Sequence, residues 1–282
     1  MEKKSKWSEE DLSILRNNYL TKNNTELAKM LNRTYSAVQM KLSKMGWKRP
    51  EKYNYNKRFF NKIDTSKKAY WLGFFYADGY VSHSERNWEC GIELQKSDAN
   101  HLKKLNKDLN GNVEVQYRKR ENNFSGAETA CIRFYSKDMF NDLSTNGCIE
   151  NKTNKIKLPK LNDELMWHFI RGFFDGDGCI LLNKKRECHQ IDLCSSSYEF
   201  LIQIRQFLYS QNINSYICEM KHNKDDMVHR TMPNYKLFIK GMKNAYNFGV
   251  KLYKNADTFL DRKKYKFYNI VEEYNIVERI NK

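Results

Sequence analysis

Residues 7–47 show a hydrophobic spacing that predicts three short helices. Capping signals precede each helix: Ser8 with Asp11, then Asn24 or Thr25, then Thr34. The third helix, from Tyr35 to Met45, is predicted to end before Gly46. Its inward positions are Val38, Leu42 and Met45, and its outward positions are Ser36, Gln39, Met40 and Ser43. The pattern predicts a small helix-turn-helix unit.

The remaining chain repeats the order helix, strand, strand, helix, strand, strand, helix. In the first copy, alternating hydrophobic positions predict three strands, at Cys90, Ile92 and Leu94, at Val113, Val115 and Tyr117, and at Ile132 and Phe134. Helices are predicted from Ser97 to Leu109 and from Asp138 to Leu143. The second copy has a strand at Ile191 and Leu193, a helix Tyr198–Tyr209, strands near Tyr216–Met220 and Tyr235–Ile239, and a helical tail to Lys282. This order predicts an α+β fold with two related halves.

These patterns divide the chain into four regions. They are a helix-turn-helix domain (1–48), a basic linker (49–64), a first half-domain (65–160), and a second half-domain with a C-terminal helix (161–282). The linker begins with Arg-Pro, is rich in Asn, Lys and Tyr, and sustains no periodicity.

An internal repeat identifies the candidate chemistry. The segments LGFFYADGYV (72–81) and RGFFDGDGCI (171–180) share five of ten residues and place Asp78 and Asp177 99 residues apart. A repeat of this length indicates two copies of one half-domain.

Each repeat segment is predicted to be a helix that ends at Asp-Gly, with Gly79 or Gly178 in the left-handed conformation. Small residues recur four positions apart, at Gly73 and Ala77 in the first copy and Gly172 and Gly176 in the second. Small residues at this spacing allow two helix backbones to approach closely. We therefore expect the helices to pack along these faces and to bring Asp78 and Asp177 together.

Two carboxylates at helix C-termini are costly, because they face the negative end of each helix dipole and repel one another. A bound divalent cation resolves both problems, and Mg²⁺ or Mn²⁺ would also bind phosphate oxygens. The predicted metal site comprises Asp78, Asp177, Gly79 and Gly178. The alternative is that each Asp-Gly is only a turn signal, but two copies in one frame argue against it.

The composition favours a nucleic-acid partner. Hydrophobic residues make up 40% and charged residues 30% of 282 residues, which is typical of a globular protein. The net charge is +16, and residues 1–60 carry 14 Lys and Arg against 6 Asp and Glu. Such an excess favours polyanions, either nucleic acid or anionic membrane. The interleaved 18 Tyr, 16 Phe and 5 Trp favour nucleic acid.

The lack of targeting signals and the pattern of cysteines indicate a cytoplasmic protein. No apolar run reaches the length of a membrane span, and Met1–Lys6 lacks the apolar region of a secretory signal. The seven cysteines form no CxxC pair, and the spacing of Cys188, His189 and Cys194 fits no zinc template. We expect reduced thiols.

The repeated segments resemble the paired motifs of the LAGLIDADG homing endonucleases, with the metal-binding acids falling on Asp78 and Asp177. The lead-in Lys67–Gly73 and the segment from Leu252-Tyr253 to Arg262-Lys263 are also similar, so the resemblance covers about residues 59–270. It implies two pseudo-symmetric αββαββα half-domains whose sheets form a saddle over DNA.

The resemblance implies further roles. A glutamine and a lysine near the metal-bound waters fall on Gln95 and Lys137 in the first half. In the second half Cys194 stands in the glutamine place, and Lys240 or Lys243 matches the lysine. The strand positions expected to face the DNA grooves are Glu93, Gln116, Arg118, Arg120, Arg133, Glu219 and Lys221.

The N-terminal unit resembles Myb-like helix-turn-helix modules, through Trp7–Asp11 and Asn32–Val38. Its third helix could enter a major groove, where the outward Ser and Gln residues can read base edges. The alternative is a small helical interaction domain that does not bind DNA.

The resulting hypothesis is a Mg²⁺-dependent endonuclease that cuts both strands of a long, asymmetric DNA site across the minor groove, leaving 3′ overhangs. One chain supplies both halves, so we expect a monomer without an obligate protein partner. The alternatives are a DNA-binding regulator without catalysis and an RNA-binding intron maturase. The Met1 start and the lack of intein end residues indicate a free-standing or intron-encoded protein of a bacterial or phage-infected cell, associated with the nucleoid, with an organellar origin left open.

Overall fold

The computed structural model describes residues 6–85, 87–119, 128–182, 189–220 and 233–280, with side chains described to 275. The chain divides into two compact units, Met1–Asn54 and Tyr55–Lys282.

The first unit contains the three predicted helices: α1 (Glu9–Asn18), α2 (Asn24–Met30) and α3 (Tyr35–Lys44). The capping box of α1 is confirmed, since the Ser8 hydroxyl accepts from the Asp11 amide at 3.1 Å and the Asp11 carboxylate accepts from the Ser8 amide at 3.3 Å. Thr34 caps α3 as predicted. The cap of α2 is Asn23 and not Asn24 or Thr25, so that prediction was wrong by one residue.

The core of this unit is aliphatic and consists of Leu15, Leu27, Ala28, Leu31, Val38 and Leu42. Met45 is 39% exposed, contrary to prediction, because α3 ends at Lys44 and the chain turns at Gly46 with a φ of +70°. The predicted outward residues Ser36, Gln39, Met40 and Ser43 are all exposed. The third helix therefore presents the expected polar face.

The predicted linker 49–64 contains the boundary between the two units. On one side, the Arg49 guanidinium donates to the carbonyl of Lys22 at 2.7 Å and to the Asn24 side chain at 2.8 Å. On the other side, Tyr55 and Phe60 are buried in the second unit. The two ends of the linker therefore pack into the flanking units. Arg49 is held by hydrogen bonds, and the aromatic rings gain from the burial of apolar surface.

The second unit repeats one order of elements. The first half contains α4 (Ser66–Ala77), β1 (Gly79–Ser84), β2 (Asn87–Gln95), α5 (Ala99–Asp108), β3 (Gln116–Lys119), β4 (Glu128–Tyr135) and α6 (Lys137–Thr145). The second half contains α7 (Asp163–Asp177), β5 (Gly178–Leu181), β6 (Gln190–Ser195), α8 (Tyr198–Ser210), β7 (Tyr216–Glu219), β8 (Tyr235–Lys240), α9 (Met242–Tyr253) and α10 (Asp261–Ile280).

The described strands form two four-stranded antiparallel sheets of matching topology. Their orders are β1-β2-β4-β3 and β5-β6-β8-β7. Gly79 pairs with Ile92 in the first sheet, and Gly178 pairs with Leu193 in the second. The predicted α+β fold with two αββαββα halves is thus confirmed, with α10 added at the end.

Local boundaries differ where local hydrogen bonds compete with the hydrophobic pattern. The helix predicted to begin after Ser97 starts at Ala99, after a 3₁₀ turn at Lys96–Asp98. The strand predicted from Val113 begins at Gln116, because the Asn106 amide pairs with both the N–H and the C=O of Val113 and holds it in a loop.

Within the described ranges, no helix combines the length and apolarity needed to cross a bilayer. Six cysteines of the described chain carry free thiols: Cys90, Cys131, Cys148, Cys179, Cys194 and Cys218. Cys188, which belonged to the rejected zinc pattern, lies outside the described residues.

Candidate active site at the helix seam

The two repeat helices, α4 and α7, are in backbone contact. A Cβ on Gly73 would lie 2.0 Å from the carbonyl oxygen of Phe169, and one on Gly172 would lie 1.9 Å from that of Tyr70. A Cβ on Gly176 would lie 2.3 Å from the Cβ of Ala77. The predicted small-residue interface is therefore present at this seam.

The seam brings the two motif aspartates to one end. Asp78 is the C-cap of α4 and Asp177 is the last residue of α7. A carboxylate oxygen of Asp78 lies 3.0 Å from the position of a Cβ on Gly176, the residue before Asp177. The repeat alone predicted this meeting of the two acids.

Gly79 and Gly178 serve a different purpose from the one predicted. Gly178 has φ −96° and ψ 162°, an extended conformation, and Gly79 is also outside the left-handed region. A Cβ on Gly79 would lie 2.4 Å from a ring carbon of Phe75, and one on Gly178 would lie 2.1 Å from a ring carbon of Phe174. Glycine is required here by close packing where each helix passes into a strand.

The two aspartates are electrostatically coupled. Burial among protein atoms, followed by the negative charge of Asp78, raises the pKa of Asp177 to about 7. Burial also raises the pKa of Asp78, while the positive charges of Lys263 and Lys152 oppose this rise. The Asp177 side chain still reaches solvent, so it is accessible to a ligand.

Lys263 of α10 stands at the end of α7. Its ammonium group donates to the carbonyls of Phe174 at 2.6 Å, Gly178 at 2.7 Å and Gly176 at 3.1 Å. A cation is favourable at a helix C-terminus because of the helix dipole. Burial lowers the pKa of Lys263 to about 8, and the charge of Asp175 opposes this shift.

Lys152 holds the corresponding place at the end of α4. Its ammonium group lies 3.4 Å from the carbonyl oxygen of Ala77, the residue before Asp78. Sequence reasoning gave neither Lys152 nor Lys263 a role, although it included Lys263 in the closing segment. A signal was present, because each lysine follows its own motif aspartate by a similar interval of 74 or 86 residues.

The predicted lysines stand at the ends of other elements of the fold. Lys137 is the first residue of α6, and its ammonium group is 5.0 Å from the ring centroid of Trp88. Lys240 pairs with Gln190 at the far end of β8, four positions along β6 from Cys194, and Lys243 is exposed in the first turn of α9. Lys152 and Lys263 are the two lysines whose positive charges lower the pKa of both aspartates.

A cleft of about 870 Å³ opens beside Asp177. Most of its lining residues are polar, and they include Tyr76, Ala77, residues 151–156, Cys194, Ser195, Ser196 and Asn234. The Cys194 thiol donates to the Asn234 side-chain oxygen at 3.1 Å, and burial raises the pKa of this thiol. Gln95, its counterpart in the first half, is exposed at the end of β2 opposite Thr129. The two halves thus surround their aspartates differently.

Comparison with protein families shows which family the chain belongs to. Residues 164–252 match the LAGLIDADG-like domain, and residues 67–127 match the WhiA LAGLIDADG-like domain. Each match contains one of the two motif helices and its aspartate. The chain belongs to the LAGLIDADG proteins.

Two curated relatives come from Methanocaldococcus jannaschii. A probable translation initiation factor IF-2 is 30% identical over 223 residues, which is 76% of this chain and 17% of that protein. An uncharacterized protein is 26% identical over 178 residues, which is 57% of this chain and 64% of that protein. This LAGLIDADG chain therefore spans less than two thirds of either relative.

Two solved structures of endonucleases align with this chain. The homing endonuclease I-WcaI, bound to its DNA recognition sequence, aligns with a TM-score of 0.50 at 17% identity, covering 75% of this chain and 91% of that one. The meganuclease I-SmaMI, bound to uncleavable DNA, aligns with a TM-score of 0.47 at 12% identity, covering 72% and 88%. At these identities the likeness concerns the fold alone.

The donor set at this LAGLIDADG seam fits a hard divalent cation in part. Within the described residues, no group of three or more His, Cys, Asp and Glu side chains is placed to hold a metal. Mg²⁺ needs no such cage, since it is held by one or two carboxylates, waters and substrate phosphates. Asp78 and Asp177 fit this pattern, because their mutual repulsion would be relieved by a cation. Gly178 fits poorly, because its carbonyl already accepts from Lys263.

The first LAGLIDADG sheet turns the predicted DNA-facing residues to one side. Ile92 and Ile132 pair on the buried side. The residues on the opposite side include Glu93, Gln116, Arg118 and Arg133, which pair with Cys131, Cys131, Thr129 and Gly91 respectively. Paired residues of antiparallel strands point to the same side, so these four share one polar face.

The second LAGLIDADG sheet corrects one prediction. Glu219 pairs with Tyr235, which stacks against Tyr198 of α8 on the helix side of the sheet. Glu219 therefore lies on the face opposite to the predicted one. This is an edge strand, where a polar residue can reach solvent from either face. Arg120 and Lys221 lie outside the described residues.

Proposed function

We propose that this LAGLIDADG chain is a divalent-metal-dependent endonuclease that cuts both strands of a specific DNA site. The observation that carries the proposal is the meeting of Asp78 and Asp177 at the end of the α4–α7 seam. Two acids held against each other in this way repel, and a cation or a proton between them would relieve that repulsion.

In this proposal Asp78 and Asp177 bind Mg²⁺ or Mn²⁺, which when bound stabilises charge on the phosphate and activates water. Gly79 stays a candidate for a further ligand. Lys152 and Lys263 stand at the helix ends beside the acids and would stabilise negative charge on the phosphodiester as it is attacked. Gln95 and Cys194 would orient water in the two halves.

Several features support duplex DNA as the substrate. The chain carries a net charge of +16, and the polar face of the first sheet presents Gln116, Arg118 and Arg133. I-WcaI, which has a similar fold, is bound to its DNA recognition sequence. Because both acids come from one chain and the halves differ, we propose a monomer that acts on an asymmetric site.

The N-terminal unit would extend the contact with DNA. Its third helix exposes Ser36, Gln39, Met40 and Ser43, and side chains of this kind can reach base edges in a major groove. In this proposal the unit adds affinity or specificity beyond the site read by the two sheets.

The proposal is tested by incubating the full chain with a randomised pool of duplex DNA and MgCl₂, then recovering and sequencing cleaved molecules. We expect defined cleaved sites with 3′ overhangs, and no cleavage by Asp78→Asn or Asp177→Asn. The matched control is Asp142→Asn, a buried aspartate of α6 outside the seam.

Three other outcomes would contradict the proposal. Cleavage by both variants at the wild-type rate would exclude the acid pair. Specific duplex binding without cleavage under any divalent metal would favour a DNA-binding regulator. Preferential binding of structured RNA, with intron splicing in its presence, would favour a maturase.

A further inference from the structure

The two motif helices carry different residues at one repeat position. Tyr76 in α4 and Asp175 in α7 each stand two residues before the motif aspartate. Both side chains reach out of their helix to a segment that leads to a lysine of the site. Both halves thus have a side-chain contact at this repeat position, but a tyrosine hydroxyl makes it in α4 and an aspartate carboxylate makes it in α7.

Tyr76 contacts the segment that follows α6. Its hydroxyl donates to the carbonyl of Asn146 at 2.7 Å. The next residue, Gly147, has a φ of +90°, and a Cβ there would lie 2.0 Å from the same hydroxyl oxygen. One residue further, the Cys148 thiol donates to the carbonyl of Phe75 at 3.7 Å. These contacts fix the start of the segment that delivers Lys152 to the end of α4.

Asp175 contacts the segment that precedes α10. It is 1% exposed, and one carboxylate oxygen accepts from the Leu260 amide and from the Tyr70 hydroxyl, each at 2.7 Å. One helical turn earlier, Arg171 donates to the carbonyl of Thr258 at 2.9 Å. These contacts fix the segment three residues before Lys263.

The contacts of each lysine also bring it near the acid of the other half. Asp78 packs beside Gly176, whose carbonyl accepts from Lys263. Asp177 lines the cleft together with Ala77 and Lys152, and the Ala77 carbonyl accepts from Lys152. In agreement, the positive charge that most lowers the pKa is that of Lys263 for Asp78 and that of Lys152 for Asp177.

We propose that Tyr76 and Asp175 are positioning residues of the nuclease, an inference that rests on the proposed function. Tyr76 sets Lys152 beside Asp177, and Asp175 sets Lys263 beside Asp78. Each half therefore prepares the lysine that serves the other half's aspartate, and the two strand cuts depend on different anchors.

The positioning can be measured in the full chain without DNA or metal. Competitive acetylation with acetic anhydride, read by mass spectrometry, reports the reactivity of each lysine. Tyr76→Phe should change the labelling of Lys152 about fivefold to tenfold and leave Lys263 unchanged. Asp175→Ala should expose Lys263, which is only 6% exposed in the structure, and leave Lys152 unchanged.

Two controls separate positioning from general loosening. Asp175→Asn keeps an acceptor oxygen for the Leu260 amide and should restore most of the protection of Lys263. Asp142→Ala removes another buried aspartate and should alter neither lysine. If Asp175→Ala does not fold by circular dichroism, the Tyr76→Phe arm decides. Unchanged Lys152 labelling in Tyr76→Phe would overturn the proposal.

The crossed arrangement is measured by strand-specific nicking of a doubly end-labelled duplex recovered from the randomised pool. Tyr76→Phe and Asp175→Ala should each slow one nick by about fivefold to tenfold, on opposite strands, with DNA affinity in EDTA unchanged. Slowing of the same strand by both variants would overturn the crossing. If the wild-type chain cuts no DNA, the proposed function fails, and the labelling result still decides the positioning.

Discussion

The carbonyl oxygen of Tyr70 lies 1.9 Å from the place where a Cβ on residue 172 would stand, so only glycine allows the two motif helices to touch. Alanine is normally about 1 kcal/mol better than glycine inside a helix. Here the helices would have to separate, and we expect Gly172→Ala to lower the free energy of unfolding by about 1–3 kcal/mol. Urea denaturation followed by circular dichroism measures this change.

Gly73→Ala should behave in the same way, because its Cβ would meet the carbonyl of Phe169 at 2.0 Å. Lys103→Ala, on the exposed side of α5, is the control and should change stability by less than about 0.5 kcal/mol. A Gly172→Ala variant as stable as the wild type would show that the seam is looser than the structure indicates.

The metal-free protein should lose stability as the pH rises through neutrality. The pKa of Asp177 is raised to about 7 by burial and by Asp78, whereas an unfolded aspartate titrates near about 3.9. Between these values the native state holds a proton that the unfolded state has released, so stability is fully present below the lower value and is lost through the higher one. Thermal melts in EDTA should show a midpoint that falls from pH 5.5 to about 7 and then levels off.

Removing the Asp177 carboxylate tests whether it causes this loss of stability. In Asp177→Asn the fall in melting temperature above pH 6 should be smaller. At pH 8, adding MgCl₂ should raise the wild-type melting temperature by mass action and should do so less in Asp177→Asn. Equal Mg²⁺ stabilisation of both proteins would place the cation elsewhere.

The sequence predicted the seam well because one physical requirement fixes it. Close helix contact needs small residues at a spacing of four, and both copies show this spacing around an aspartate. Lys152 and Lys263 were missed because they lie 25 and 185 residues from Asp177 and Asp78, the acids they are proposed to serve, and only the fold brings them together. The resemblance to the family instead indicated Lys137 and, in the second half, Lys240 or Lys243; Lys137 is the first residue of a helix and Lys240 the last of a strand.

Strand faces were predictable where one side is clearly apolar. Ile92 and Ile132 fix the buried side of the first sheet, and Arg118 and Arg133 follow from the alternation. The alternation was misleading for Glu219, because a short edge strand such as β7 has polar residues on both faces. Register decides the face in such a strand, and the hydrophobic pattern specifies it weakly.

Arg118 and Glu219 should therefore respond differently to removal. Arg118→Ala should weaken binding of the cleaved duplex by about 1–3 kcal/mol and reduce the salt dependence by about one ion, because Arg118 lies on the polar face of its sheet. Glu219→Ala should leave both unchanged, because this residue lies on the helix side. Fluorescence anisotropy over a range of KCl concentrations, in EDTA, measures both quantities.

A change in base preference caused by Glu219→Ala would restore the original prediction for that residue. Lys103→Ala removes the same charge as Arg118→Ala but from a helix surface, so it controls for net charge alone. If both variants weaken binding equally, Arg118 acts only through long-range electrostatics.

Gln39 tests the role of the N-terminal unit. It is exposed at the middle of α3. A glutamine on a helix in the major groove can form two hydrogen bonds with one adenine. We expect Gln39→Ala to weaken binding of the selected duplex by about 1–3 kcal/mol and to relax one base preference outside the cleaved region. The nicking rate at saturating protein should be unchanged, because Gln39 belongs to the unit that lacks the acid pair. Gln206→Ala, on the exposed side of α8, is the matched control.

His101 should make the protein sensitive to acid. It is 2% exposed, it lies 2.8 Å from the Tyr70 hydroxyl, and burial lowers its pKa to about 3. An unfolded histidine takes up a proton near pH about 6.5, so the neutral native form loses stability as the pH falls from there toward 3. Phe200 occupies the same repeat position in the second half, which makes His101→Phe a substitution that the fold already accepts once. Urea denaturation at pH 7 and pH 4.5 should show a smaller acid loss in His101→Phe than in the wild type. An equal loss in both proteins would assign the acid sensitivity to other groups.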